Sequence, residues 1–373
     1  MIDQFRGALL GGAIGDALGV PAEKRTPEEI RARWGEIRDF VEPWDRTGTN
    51  PRYRGDGNIT DDSLMMAMLC RVYLTKREHL DAYDAAEHLV PLLLEASTFV
   101  PEYGRAMPLI ERLFYPEKYL YLRLKLAQVE PREGGLGNMV NCGAAMYVAP
   151  IGLMNAGNPR AAYAEAIDFA AAHQWSYGRE AAGVFAACVA AAAVPDADID
   201  DALAAALTLA RDGTRSAIVR ALDVAHAHEN WRSAVQPLQA ALLDYMPGGW
   251  TADRRPSGLP SRTGAIEELP AALALLSITR GQFTESVISA ANYGHDADSI
   301  AIMAGCIAGA LNGADALPLA WVDTIRRRNQ IDFAGLGDEL HTLFVTLAER
   351  DDAAHRHRLA RLGLAGEPVE QPA

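Results

Sequence analysis

Apolar residues recur at three- and four-residue intervals in segment after segment of this chain, and each such segment predicts a helix. The clearest run over residues 64–73, 80–94, 161–172, 179–193, 199–211, 216–226, 231–243, 267–277, 283–291 and 299–311. Alanine is dense between Ala161 and Ala210, which strengthens the helical reading there. Only short stretches such as 37–41 read as small strands, and no succession of alternating segments builds a sheet. The pattern predicts an all-α fold. No fixed repeat period is visible, which argues against a solenoid.

Three irregular regions interrupt the helices. Residues 39–58 are rich in Arg, Trp, Gly and Pro, residues 130–141 contain Gly134, Gly135 and Gly137, and residues 245–264 contain Pro247, Gly248, Gly249, Pro256, Gly258 and Pro260. Connections this long in a compact domain commonly serve as binding loops or lids, the alternative being plain surface connection. No linker-like change of composition divides the chain, so residues 1–350 are expected to form one domain. Residues 351–373 read as a polar tail, partly frayed.

Charge narrows the partners. Asp and Glu outnumber Lys and Arg by 49 to 35, giving a net charge of -14, and no basic patch is visible. Nucleic acid is therefore excluded as a partner, and an anionic ligand needs cations or helix N-termini to gather positive potential at its site. The cysteines Cys70, Cys142, Cys188 and Cys306 form no C-x-x-C pair. Cys70, Cys188 and Cys306 lie in apolar surroundings and read as small buried hydrophobes, in keeping with a reducing compartment. The N-terminus lacks a signal pattern, and the longest apolar run, 181–194, is shorter than the roughly 20 residues that span a bilayer. A cytoplasmic protein without membrane contact is expected.

Two short clusters carry the candidate chemistry. Asn58-Ile59-Thr60-Asp61-Asp62-Ser63 precedes the apolar run 64–69, and Gly294-His295-Asp296-Ala297-Asp298-Ser299 precedes the apolar run 300–311. Each places carboxylates and a hydroxyl at a helix start. Taken alone, the first is fully explained as a Thr60 cap with acidic residues complementing the helix dipole. The second helix also carries Gly305, Gly309 and Gly313 at four-residue spacing, so a neighbouring helix can approach closely on that face. If the two helix starts meet, four carboxylates and two hydroxyls form an oxygen-rich site without sulfur, suited to Mg²⁺, Mn²⁺ or Ca²⁺ and not to Zn²⁺. Carboxylates so crowded call for a cation.

These motifs resemble the ADP-ribosylglycohydrolase family. Four segments carry the resemblance in order: Gly7-Ala-Leu-Leu-Gly-Gly-Ala-Ile-Gly-Asp-Ala-Leu-Gly-Val-Pro-Ala-Glu23, Thr60-Asp61-Asp62-Ser63, Gly143-Ala-Ala-Met-Tyr-Val-Ala-Pro-Ile-Gly152, and Asn292-Tyr-Gly-His-Asp-Ala-Asp-Ser-Ile-Ala-Ile-Met-Ala-Gly305. The resemblance implies a compact, orthogonal multi-helix fold with a central cleft holding two Mg²⁺ ions, for which Mn²⁺ can substitute. By position, Thr60, Asp61, Asp62, Asp296, Asp298 and Ser299 are the implied metal ligands. Glu23 matches the acidic residue beside the scissile bond, and Glu23 and Asp62 are the implied catalytic residues. Asn141, Gly143, His173, Gly294 and His295 are the expected substrate contacts, and the Gly134–Gly143 backbone offers N–H groups to a diphosphate. The implied reaction cleaves the bond at the anomeric carbon of an ADP-ribosyl group, and a monomer is expected.

The chain departs from the family pattern at definite places. His295, Ala297 and Ser299 stand where Gly, Thr and Thr are usual, Cys142 and Tyr147 replace Asn and Arg, and Ala172-His173 stands for Thr-His. Ser299 keeps the hydroxyl. Two other readings follow: a metal-dependent hydrolase of another ribosyl or nucleoside conjugate, and a non-catalytic ligand-binding relative. In segment 112–133, Tyr115, Tyr119, Tyr121, Arg123 and Lys125 are set to stack on a base and meet a phosphate, or else form an amphipathic helix covering the core.

Overall fold

The computed structural model describes residues 1–44, 55–100, 105–245 and 265–364. The architecture is all-α. The helices of eight or more residues are α1 (Ile2–Gly19), α2 (Pro27–Trp34), α3 (Asp61–Lys76), α4 (Pro159–Ala170), α5 (Ser176–Ala192), α6 (Ile199–Leu209), α7 (Asp212–His226), α8 (Trp231–Leu243), α9 (Ala265–Ile278), α10 (Phe283–Ala291), α11 (Ala297–Asn312), α12 (Leu319–Asn329) and α13 (Phe333–Arg361). Every helical segment expected from periodicity is helical here, with small shifts at the ends. Among the described residues, no helix is long and apolar enough to cross a membrane.

Helices α1 and α11 form the centre, and both are buried almost all round. They run antiparallel with their backbones in contact. A Cβ added at Gly7 would stand 2.1 Å from Gly309 O, at Gly11 2.4 Å from Gly305 O, at Gly15 2.0 Å from Ala301 O, and at Gly19 2.3 Å from Ala297 O. The glycines on both helices therefore meet through a ladder that only glycine permits on the α1 side. Gly313, expected on the same face, lies just beyond α11 with φ of 75° and abuts the Asp3 carboxylate instead. The ladder has one consequence for the site. The C-terminal end of α1, which leads through the turn Val20–Ala22 to Glu23, lies beside the N-terminal end of α11, which carries Asp296 and Asp298.

The remaining helices wrap this pair. Helix α13 covers α1 through Gly337 on the Arg6 backbone, Phe5 against His341 and Phe344, and an Arg6–Asp338 ion pair at 2.5 Å. Its polar C-terminal end, expected as tail, continues as exposed helix to Arg361, and the residues after 364 lie outside the described residues. All four cysteines are buried and free.

One expectation is corrected. Residues 37–41 form no strand: the Ile37 N–H and C=O are both taken by the Asn292 side-chain amide, at 2.9 and 2.8 Å, which replaces a strand partner. The antiparallel pair among the described residues is Ser97–Val100 with Arg105–Pro108. Segment 112–133 is a short helix, Tyr115–Leu120, continued by a π-helical turn, Tyr121–Leu126. There Tyr119 Oη donates to Leu136 O and Arg123 donates to Gly134 O, so these two side chains hold the glycine-rich loop. Most of the irregular region 245–264 and part of 39–58 lie outside the described residues.

Candidate active site

The first carboxylate cluster is built by the start of α3. Thr60 is its N-cap, with Oγ1 accepting from Asp62 N at 3.2 Å and donating to Asp62 Oδ2 at 3.0 Å. Asp61 Oδ2 accepts from Phe114 N at 2.9 Å. The turn is pinned from α1 by Asp16, whose Oδ2 accepts from Thr60 N at 2.9 Å, Ser63 N at 3.2 Å and Ser63 Oγ at 2.5 Å. Asp16 is wholly buried, and its Oδ1 has no hydrogen-bond partner among the described residues. Burial pushes its carboxyl up to about 6, against these hydrogen bonds, which favour the charged form.

The second cluster is set by a turn that needs glycine. Gly294 has φ of 76°, and a Cβ there would stand 2.3 Å from Arg25 O. His295 N donates to Arg25 O and Lys24 N donates to His295 O, at 2.9 and 2.6 Å. This backbone clasp holds Glu23 against the start of α11. Asp296 is the N-cap position but makes no side-chain cap bond, so its carboxylate is directed to other partners. One carboxylate oxygen each from Glu23, Asp296 and Asp298 lies within 4.8 Å of the others.

The two clusters touch. Ser299 Oγ donates to Asp62 Oδ1 at 2.9 Å. Burial, followed by the charges of Asp16, Asp61 and Asp296, holds Asp62 well above the usual carboxylate range. Thr60, Asp61, Asp62, Asp296, Asp298 and Ser299 are thus gathered at one place although they come from both ends of the sequence. Sulfur, which the sequence reading excluded, is present: Cys142 Sγ contacts Asp296 Oδ2 at 3.1 Å and Ser299 Oγ at 3.2 Å. Burial pushes the Cys142 thiol up, and Asp296 adds to the effect.

Beside this centre lies a buried polar layer. Asn141 Oδ1 accepts from Gly143 N and Gln174 Nε2, at 3.1 and 2.7 Å. Gly143 leaves no room for a side chain, since its Cβ would stand 2.6 Å from Glu117 Oε1. His173 is buried and stacked on Tyr147, with Nδ1 3.1 Å from Tyr147 Oη and Nε2 3.8 Å from Glu117 Oε1. Desolvation pulls His173 down to about 4, which leaves it neutral at pH 7, and holds Glu117 well above the usual carboxylate range. In the segment expected to cradle a diphosphate, the N–H groups of Gly134, Gly135 and Gly143 are donated within the chain, to Pro131 O, Ala171 O and Asn141 Oδ1. His295 Nδ1 lies 2.8 Å from Glu267 Oε1, which also accepts from Tyr293 Oη at 2.9 Å, and the His295 side chain is one-quarter exposed.

Four buried carboxylates of this region escaped the sequence reading: Asp16, Glu117, Glu267 and Glu268. Asp16 carried a signal, as a lone charge inside the apolar run 8–20. Glu267 and Glu268 repeat the grammar of acidic residues before an apolar helix. Glu117 carried none, lying among aromatic and basic residues.

The donor set fits a divalent cation. Carboxylate and hydroxyl oxygens converge, and their mutual repulsion in a buried setting is relieved by positive charge. Thr60, Asp61, Asp62, Asp296, Asp298 and Ser299, with Glu23 at the rim, are the residues placed to hold it.

The sequence profile of the ADP-ribosylglycohydrolase family matches residues 1–351. An uncharacterised protein of Archaeoglobus fulgidus is 30% identical over 93% of this chain and 100% of its own length. The protein YegU of Escherichia coli is 26% identical over 89% of this chain and 94% of its own. ADP-ribosylhydrolase ARH3 of Danio rerio is 26% identical over 86% of each. A solved ADP-ribosylglycohydrolase-related protein complex superposes with a TM-score of 0.63 at 21% identity, over 92% of this chain and 98% of the other. That last likeness bears on the fold. The chain belongs to the ADP-ribosylglycohydrolase family and is a hydrolase of glycosidase type.

Proposed function

We propose that this protein hydrolyses the glycosidic bond at the anomeric carbon of an ADP-ribosyl group, using divalent cations, Mg²⁺ first among them, at the carboxylate centre. The observation that carries the reading is the meeting of the α3 and α11 starts, joined by Ser299 Oγ and Asp62 Oδ1, with Glu23 at their edge. Two cations are expected there, and Mn²⁺ can substitute.

Cations held by Thr60, Asp61, Asp62, Asp296, Asp298 and Ser299 would supply Lewis acidity to the ribose hydroxyls and the attacking water. The chain does the rest. Glu23 takes a proton at its carboxylate from that water or returns one to the leaving group. Lys24 Nζ lies 2.5 Å from Glu23 Oε1 and pairs with this carboxylate. Asp62, gripped by Thr60 and Ser299, holds the geometry, and a cation beside it would offset the burial that opposes its negative charge, leaving that charge to favour the oxocarbenium-like transition state. Asp16 acts through Thr60 and Ser63 and positions the ligand-bearing turn. The buried layer of Asn141, Gly143 and His173 supports the wall on which the sugar rests.

The test is a panel of ADP-ribosylated peptides with arginine and serine acceptors, free ADP-ribosyl esters, and nucleosides, each assayed with Mg²⁺ and with a chelator. Release of ADP-ribose only in the presence of cation is the expected result. Turnover of nucleosides alone would favour the second reading, a hydrolase of another ribosyl conjugate. That reading is favoured by the bulk of His295 where family members usually have glycine.

A further inference from the structure

We infer that Cys142 is a sulfur ligand of the carboxylate centre and tilts its choice of cation from Mg²⁺ towards thiophilic divalent ions such as Zn²⁺, Co²⁺ and Cd²⁺. This rests on reading the centre as a metal site. The observation is a mixed donor set. Cys142 Sγ, one oxygen of Glu268 and one of Asp296 lie within 4.8 Å of one another, and Ser299 Oγ is 3.2 Å from the sulfur. Asp296 also belongs to the all-oxygen group with Glu23 and Asp298. One carboxylate is therefore shared between two donor sets of unlike softness. Oxygen-only sets suit Mg²⁺, whereas a thiolate beside carboxylates favours softer ions.

The donors come from fixed elements. Cys142 is 3% exposed, and its carbonyl accepts from Met146 N at 3.0 Å, which fixes the turn before Ala145–Tyr147. Glu268 is wholly buried in the first turn of α9, and Asp296 is the N-cap of α11. The fixed turn carries the sulfur 3.1 Å from Asp296 Oδ2. Binding is a substitution without electron transfer: the S–H bond breaks, the sulfur lone pair binds the cation, and the proton leaves to solvent. The all-oxygen set needs no such exchange, so the two sets respond separately to one substitution.

The experiment titrates the metal-stripped full chain with Co²⁺ and reads the sulfur-to-cobalt charge-transfer absorption, for wild type and Cys142→Ser. Mg²⁺ binding is followed in parallel by thermal shift. Wild type should show the band and Cys142→Ser should not. Cys142→Ser should weaken Zn²⁺ and Cd²⁺ by about tenfold or more, while Mg²⁺ affinity changes by less than about threefold. Glu268→Gln should weaken the soft ions with the band retained. Co²⁺ binding without a band, or a band that survives Cys142→Ser, overturns the sulfur ligand and leaves the carboxylate centre standing. Failure of both Mg²⁺ and Co²⁺ to bind either protein overturns the inference together with the metal reading beneath it.

Discussion

Ser299 Oγ donates to Asp62 Oδ1 at 2.9 Å, joining residues 237 positions apart in sequence. Each belongs to the first turn of its own helix, so the bond ties two helix starts together. The hydroxyl also meets Cys142 Sγ, which places Ser299 at the junction of the two acidic clusters and the third motif. Side chains from three distant segments are thereby held at one point, and the effects of changing any of them follow from that arrangement.

Asp298→Ala should abolish activity and the stabilisation by Mg²⁺ together. A cation bound only by the folded state at a hundred times its dissociation constant adds about 2.7 kcal/mol. Thermal melts of both proteins, with and without Mg²⁺, check this. An equal rise of Tm in the two would remove Asp298 from the ligand set.

Gly15→Ala should destabilise by about 3 kcal/mol or more, since the new Cβ meets the Ala301 carbonyl at 2.0 Å and backbone cannot yield as a side chain does. Prising α1 from α11 also separates Glu23 from Asp296, so cation affinity should fall with stability. Denaturant unfolding and metal titration of the same variant test the pair of effects. A variant as stable as wild type would show that the ladder has slack.

His79 bridges two carboxylates, with Nδ1 2.7 Å from Glu165 and Nε2 2.8 Å from Asp351. The hydrogen bond to Glu165, opposed by burial, raises its pKa from 6.5 to about 9. A raised basic pKa stabilises the fold fully below about 6.5, and that contribution is lost as pH climbs through about 9. The stability gap between wild type and His79→Gln should be about 1–2 kcal/mol at pH 6, allowing for solvent screening, and should close by pH 10. Urea unfolding across that range measures it, and a gap that widens with pH would contradict the assigned charge.

His295→Gly should broaden the accepted substrates and leave Mg²⁺ affinity nearly unchanged. The imidazole fills space that glycine leaves open and meets Glu267, which lies outside the implied ligand set. The measurement is kcat/KM over several ADP-ribosyl and simple ribosyl substrates. An unchanged ranking would mean that His295 serves the Glu267–Tyr293 cluster alone.

The helices were legible because burial imposes a period on the sequence, and the two acidic clusters because a helix start has its own grammar. Thr60 reads as a cap and is one. What could not be read depended on partners from elsewhere in the chain. Asp16 looks like a stray charge until Thr60 and Ser63 are placed on it. The Ile37 backbone promises a strand until Asn292 takes both of its polar groups. Cys142 appeared as a departure from a motif, with nothing in its neighbourhood to set it against Asp296. The face of Gly305 and Gly309 foretold a close approach, and the matching face of Gly7, Gly11, Gly15 and Gly19 supplies it.

The glycine ladder also constrains the order of events at the ribosome. Helix α1 emerges long before α11, and in the folded protein it is buried almost all round. Until α11 is made, the glycine face of α1 lacks the backbone it packs against. Glu23 likewise waits for Asp296 and Asp298. A nascent chain halted before α11 therefore carries half a centre, and assembly of the cleft is among the last steps of folding.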